Sequence, residues 1–274
     1  MTADSPESSA FLGSIPVAYD TCLVPLIFEP YAADLGARAA RLAPRAVLET
    51  ACGTGALTRR LREVLPAGTT IVATDLSSAM LARARERDPH PGTVNWQPAD
   101  ACALPFPDAS VDLVIFQFGL MFYQDKVEGL REARRVLRPG GHCLTNVWDG
   151  FESNPMGRLP HDVLAEFFPQ DPPGFYRIPF SMTDHGALRT MFRAAGFGEP
   201  GFETVVREGV SPSALEAATG MITGTPAWSA LMDRGVTDPG PLVARLTAKL
   251  ERAGGKAPFR IPMQATVITA QAPA

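Results

Sequence analysis

An acid and a glycine-rich turn stand together near the start of this chain. Glu49 closes the apolar run Val47-Leu48 and opens Glu49-Thr50-Ala51-Cys52-Gly53-Thr54-Gly55. A strand that ends on a carboxylate, then a glycine turn, then a helix, sets bare backbone and a helix N-terminus against a small ligand. The carboxylate can grip a cation or a hydroxyl. Twenty residues after Gly55 a second run, Ile71-Val72-Ala73-Thr74, ends on Asp75. An acid at that spacing suits ribose hydroxyls. The chain therefore reads as one that holds a nucleoside-bearing cofactor. A dinucleotide fingerprint needs a third glycine where Thr58 stands, and no GK[ST] follows to make a phosphate loop.

Those residues need a scaffold, and the pattern supplies one. Strands are expected over residues 46–49, 70–74, 94–97, 111–116 and 142–147. Helices are expected over 56–65, 77–87 and 127–137, the last stopped by Pro139-Gly140-Gly141. Alternating strand and helix implies a doubly wound α/β fold, with a parallel sheet and helices on both faces. Residues 23–42 read as one or two helices leading into the sheet, and residues 1–9 as a loose acidic tail. Past Asp149 the texture changes. Residues 151–181, rich in proline and phenylalanine, read as a lid or substrate loop. A helix is expected over 183–195, strands over 202–206 and 263–270, and a helical insertion over 212–253. In that insertion Leu242, Leu246 and Leu250 form one stripe, which packs on the body or forms a homodimer face. The chain divides into an N-terminal helical lid segment (1–45), a cofactor-binding core (46–149) and a C-terminal part (150–274), all of one domain.

Composition narrows the class. The 274 residues are 46% hydrophobic, enough for a sizeable core, and the net charge is −4. That balance argues against nucleic acid as a partner. Cys22, Cys52, Cys102 and Cys143 are scattered with no CxxC pair, which fits a reducing, cytoplasmic setting and no zinc site. No Lys or Arg precedes Arg38, so no secretory leader is expected, and no apolar run is long enough to span a bilayer. None of the four histidines is at HxxxH spacing, so metal-independent chemistry is expected.

Four motifs occur in order: Glu49-x-Ala51-Cys52-Gly53-Thr54-Gly55, Asp75-Leu76-Ser77-Ser78-Ala79-Met80-Leu81, Ala99-Asp100-Ala101 with Leu104-Pro105-Phe106, and Arg135-Val136-Leu137-Arg138-Pro139-Gly140-Gly141. Over residues 47–149 they resemble the class I S-adenosylmethionine-dependent methyltransferases, in the type 11 group that includes the ubiquinone/menaquinone C-methyltransferases. Ala51 stands where that family usually has glycine, and Glu49 where aspartate is commoner. The resemblance implies a Rossmann-like, mostly parallel seven-stranded sheet with an antiparallel strand near the C-terminus. It implies S-adenosyl-L-methionine as cofactor. Glu49 would sit near the methionine ammonium. Ala51, Gly53 and Gly55 would let backbone approach the methionine and ribose. Asp75 would accept from the ribose hydroxyls, and Leu76 and Met80 would flank the adenine. Asp100 and the Ala101 N–H would read the base edge, and Gln117 would line the methionine end.

The acceptor side is less marked. Tyr19 and Phe28 come from the N-terminal segment, and Trp148 from the end of the fifth strand. The residue 151–181 segment offers His161, Phe175, Tyr176 and Arg177. His161 is the candidate base, since imidazole titrates near neutrality. The expected function is methyl transfer to a small, largely apolar molecule with an oxygen, carbon or nitrogen acceptor. A methyltransferase acting on a macromolecule and a non-catalytic cofactor-binding protein are the alternatives.

Overall fold

The structure is a computed structural model that describes residues 13–274; the tail expected over residues 1–9 lies outside the described residues. Seven strands form one sheet in the order β3-β2-β1-β4-β5-β7-β6. They are β1 (Ala46–Glu49), β2 (Thr70–Asp75), β3 (Asn95–Pro98), β4 (Val111–Gln117), β5 (Leu137–Trp148), β6 (Gly201–Ser211) and β7 (Phe259–Gln271). β1 pairs in parallel with β2 and β4, β2 with β3, and β4 with β5, whereas β7 runs antiparallel to β5. The chain winds outward from β1 to β3, then returns to lay β4 beside β1. Crossovers in opposite directions make the fold doubly wound and put a switch point between the ends of β1 and β4.

The chain divides into two compact units. One holds Tyr31–Trp148, Met182–Val205 and Ala265–Ala274. Its central strands carry apolar runs, as parallel strands covered on both sides should: Leu48, Leu113, Val114, Ile115 and Phe116 are fully buried. The helix Ala56–Val64 turns Leu57 and Leu61 inward. Each such burial contributes about 1.5–3 kcal/mol. The helix Ser78–Glu86 starts at Ser77, whose hydroxyl accepts the Met80 N–H, as a serine cap should.

The other unit holds the described residues through Pro30, Asp149–Ser181 and Val206–Gln264. A wide-turned helix, Tyr19–Phe28, carries Pro25 and sends the Glu29 N–H back five residues to the Val24 carbonyl. A Cβ on Gly209 would stand 2.5 Å from the Leu26 carbonyl oxygen, so β6 meets this helix backbone to backbone. The insertion is three helices, Ala214–Thr223, Pro226–Asp233 and Gly240–Gly254. Leu242, Leu246 and Leu250 are buried within this unit, so their stripe is not a homodimer face.

Three expectations need correction. The residue 151–181 segment is not a plain loop, because Pro155–Phe167 is a helix. Pro155 occupies its first turn, where the missing N–H costs nothing, and Met156, Pro160, Val163 and Leu164 are buried at helical spacing. The helix before β5 ends at Val136, ahead of Pro139, because the residue before a proline disfavours helical geometry. Pro139-Gly140-Gly141 instead sits in an irregular stretch of β5, where pairing jumps from Val111↔Leu137 to Leu113↔His142. Strands β6 and β7 are also far longer than the runs expected at 202–206 and 263–270.

Candidate active site

Because β1 to β4 run parallel, Glu49, Asp75, Gln117 and the loop bearing Asp100 leave the sheet at one edge. Glu49 is enclosed, at 1% exposure, and its Oε2 has no partner. Burial pushes its carboxyl up to about 8, opposed by the Thr58 hydroxyl and the Arg59 charge and aided by Asp75. A buried acid kept ready for a cation has this signature.

The turn that follows is set by backbone shape and close packing. Gly53 and Gly55 have φ +56 and +80. A Cβ on Gly55 would come within 2.7 Å of the Trp96 ring, so this position admits no side chain on two grounds. Ala51, where the related family favours glycine, is itself left-handed at φ +51.

Asp75 is engaged within the protein itself. Its Oδ2 accepts the Gly53 N–H at 2.7 Å and its Oδ1 the Ser77 N–H at 2.8 Å. Burial pushes its carboxyl up, and the N–H groups of Ser77, Gly53 and Leu76 draw it back. It therefore staples the glycine turn to β2 and keeps further lone pairs for a ligand. Asp75→Ala is expected to lower stability by about 2 kcal/mol or more and donor affinity by about 1.5–3 kcal/mol. Thermal melting and titration with S-adenosylhomocysteine check both; a variant unchanged in both would remove Asp75 from the site.

Leu76, 42% exposed, stands beside Asp75 as an uncovered apolar side chain, while Met80 is buried in the core. Asp100 is exposed and accepts the Cys102 N–H at 2.8 Å; Ala101 is half-buried. The loop that carries them is tied down by residues for which no role was expected. Glu132 accepts the Leu104 N–H at 2.7 Å, and Arg135 donates to the carbonyls of Leu104 and Phe106 at 2.9 and 2.8 Å. Arg135 belongs to the fourth motif and the loop to the third, so the two motifs form one joint.

The turn after β4 meets the glycine loop twice. The hydroxyls of Thr50 and Tyr123 lie 2.7 Å apart. A Cβ on Gly119 would stand 2.7 Å from the Ala51 Cβ. Gly119→Ala is accordingly expected to cost about 1–3 kcal/mol alone and to be largely relieved by Ala51→Gly. A double-mutant cycle by chemical denaturation reads the coupling, and additive effects would contradict the contact.

The remaining candidates divide between the units. Trp148 lies in the unit that holds Glu49 and Asp75 but is buried, its ring stacked 3.6 Å from that of Phe118, so it is a wall and not an open contact. Tyr19, Phe28, His161, Phe175, Tyr176 and Arg177 belong to the other unit. Tyr19 stacks on Phe28 with centroids 4.9 Å apart. Phe175 is half-buried and Arg177 exposed. Tyr176 is buried and donates its hydroxyl to the Met221 carbonyl, so its polar end is already engaged within the protein. His161 is half-buried beside Phe151, centroids 5.3 Å apart, and its Nδ1 has no partner. Among the described residues, no three or more His, Cys, Asp or Glu side chains gather as a metal site, and no helix is long and apolar enough to cross a membrane.

Comparison with known proteins agrees with this arrangement. A family model described as Methyltransferase domain matches residues 48–145. The ubiquinone/menaquinone biosynthesis C-methyltransferase UbiE of Pseudoalteromonas translucida is 38% identical over 183 residues, covering 58% of this chain and 68% of the relative. UbiE of Hahella chejuensis is 32% identical over 164 residues, covering 55% and 66%. The chain thus spans just under two thirds of the first curated relatives it matches, 66% and 65% of their lengths. The solved structure of the YcgJ protein from Bacillus subtilis superposes with a TM-score of 0.58 at 18% identity, covering 89% of this chain and 99% of that one; at that identity it shows the fold alone. The glycine turn, the two strand-end acids and the extent of the UbiE match lead to one family: the chain belongs to the class I S-adenosylmethionine-dependent methyltransferases, in the ubiquinone/menaquinone C-methyltransferase-like group.

Proposed function

We propose that this chain transfers a methyl group from S-adenosylmethionine to a small, largely apolar acceptor. The relatives' names make a ring carbon of a quinone-type molecule the first acceptor to test. The observation that carries the reading is Glu49, enclosed at the end of β1 with Oε2 unpartnered beside a turn that admits no side chain at Gly55. These residues fit the donor. When bound, S-adenosylmethionine supplies a methyl group already activated on a sulfonium, so the protein's task is alignment and proton handling.

Each residue has a matching duty. Glu49 would hold the ammonium, and Gly53 and Gly55 would admit the amino-acid and ribose parts against bare backbone. Asp75 would accept from ribose hydroxyls while keeping its hold on the Gly53 N–H. Leu76 would cover an apolar face of the base, and Asp100 with the Ala101 N–H would read its edge. Gln117, at the end of β4, would line the methionine end. On the acceptor side, Tyr19, Phe28, Phe175 and Arg177 would shape the apolar binding region. His161 would take the proton that a phenol or carbon acid must lose.

The described residues through Pro30 and residues 149–181 fall in one unit, which supports reading that part of the N-terminal segment and residues 151–181 as one cover for the acceptor. The test incubates the protein with S-adenosylmethionine and a demethylated quinol, with and without EDTA, and follows the product by mass. A singly methylated quinol is expected in both. Turnover lost in EDTA and restored by a divalent ion would overturn the metal-free reading. An intact quinol together with no binding of S-adenosylhomocysteine would overturn the whole.

A further inference from the structure

The turn after β4 is held in a backbone shape that phenylalanine rarely adopts. Phe118 has φ +54, in the left-handed region. Strain of that kind persists only where the surroundings hold it. Three contacts do so. The Phe118 N–H donates to Asn146 Oδ1 at 3.0 Å. Its ring lies on Trp148 with an interplanar angle of 4°. Tyr31 sets an edge against both rings, at 5.3 and 5.1 Å, and is anchored through its hydroxyl to the Val205 carbonyl at 3.2 Å.

Asn146 is the unusual member. Its side chain is fully buried, at 0% exposure, and its Nδ2 has no partner. The acceptor must be its Oδ1, because the Phe118 N–H can only donate. Burying an amide with a bare donor is unfavourable, and an apolar residue would fill the space without that penalty. The amide is accounted for by what its oxygen holds. Asn146 pairs in register with Gln117, the last residue of β4. One residue past Phe118, Gly119 leans on Ala51 of the glycine loop, itself left-handed at φ +51. A continuous line of contact therefore runs from β5 through the strained turn to the loop that borders the donor.

We propose that Asn146 is a positioning residue for the methyl-donor site. Through the Phe118 N–H it fixes the turn that carries Gln117 and Gly119, and through Gly119 it fixes the glycine loop at Ala51. This rests on the donor-site reading above. It differs from a packing role, which any side chain of similar volume would satisfy.

Three proteins test it: the full chain, Asn146→Leu and Asn146→Asp, each titrated with S-adenosylhomocysteine by calorimetry and melted thermally. Leucine keeps a branched side chain but has no acceptor, and aspartate keeps an oxygen acceptor at the same reach. Asn146→Leu should weaken S-adenosylhomocysteine binding at least about tenfold, because the Phe118 N–H loses its buried partner. Asn146→Asp should recover most of that loss. Wild-type affinity in a cooperatively melting Asn146→Leu would overturn the proposal, as would an aspartate variant that folds and binds no better than leucine. The wild type gives a reading that needs no variant to fold. The backbone amide resonance of Phe118 and the side-chain amide of Asn146 should shift during the S-adenosylhomocysteine titration, with the midpoint seen by calorimetry. Binding without any shift at either group would overturn the coupling. No binding by the wild type would instead overturn the donor site itself.

Discussion

Replacing Glu49 by glutamine is expected to flatten the pH dependence of the ligand-free protein's stability. In the folded chain the Glu49 carboxyl is pushed up to about 8 by burial, from an ordinary 4.5. Below pH 4.5 both folded and unfolded states carry the proton. Between about 4.5 and 8 the unfolded chain gives it up and the folded chain keeps it. Stability therefore falls as pH rises through that window, by up to about 5 kcal/mol from this one group. The Glu49→Gln variant lacks that slope. Chemical denaturation at several pH values, wild type against Glu49→Gln, reads the difference, and parallel curves would contradict the burial argument. The same group makes a second readout. A cation placed beside Glu49 favours the ionised form. Binding S-adenosylhomocysteine near pH 6.5 should then release close to one proton in the wild type and none in Glu49→Gln. Calorimetry in buffers of different ionisation heat measures that release.

The second large effect concerns His161. Gly157, one turn earlier on the same helix, has no Cβ, and the Phe180 ring fills the place where one would be. Phe151 lies 5.3 Å from both the His161 and Phe180 rings. Burial lowers the His161 pKa, and the Arg177 charge lowers it further against an opposing pull from Asp162. The imidazole is thus neutral at pH 7 and able to accept a proton. His161→Ala should lower kcat by roughly 10²–10⁴-fold while S-adenosylhomocysteine affinity stays at the wild-type value. In the wild type, kcat should rise with pH through a midpoint below 6.5 and then level, since the base works only when unprotonated. An alanine variant with wild-type kcat would leave alignment as the sole contribution of this region.

The donor half of the molecule was legible in the sequence for a physical reason. Parallel strands buried on both faces are written as apolar runs, and helices beside them as stripes of leucine, so β1 to β4 fell within a residue or two of expectation. Glu49, Gly53, Gly55 and Asp75 are neighbours along the chain of the elements that place them. What the sequence hid are joints between distant segments. Arg135 tying down the Leu104–Phe106 loop, Tyr123 meeting Thr50, and Asn146 holding Phe118 leave no local periodicity. Tyr176 showed the same limit from the other side. Its type suggested a contact on the acceptor side, but the Met221 carbonyl that takes its hydroxyl lies far along the chain. The helix Pro155–Phe167 was hidden because its two prolines read as breakers, although the stripe Met156, Pro160, Val163, Leu164 was present. The Phe118 strain has no signature at all, since a phenylalanine after a strand looks ordinary until its φ is known.

The most direct test of the account is calorimetric titration of the full chain with S-adenosylhomocysteine and, separately, with NAD. Micromolar binding of S-adenosylhomocysteine is expected, with heats that vary with buffer as Glu49 ionises, and no binding of NAD. Micromolar binding of NAD with no response to S-adenosylhomocysteine would contradict it.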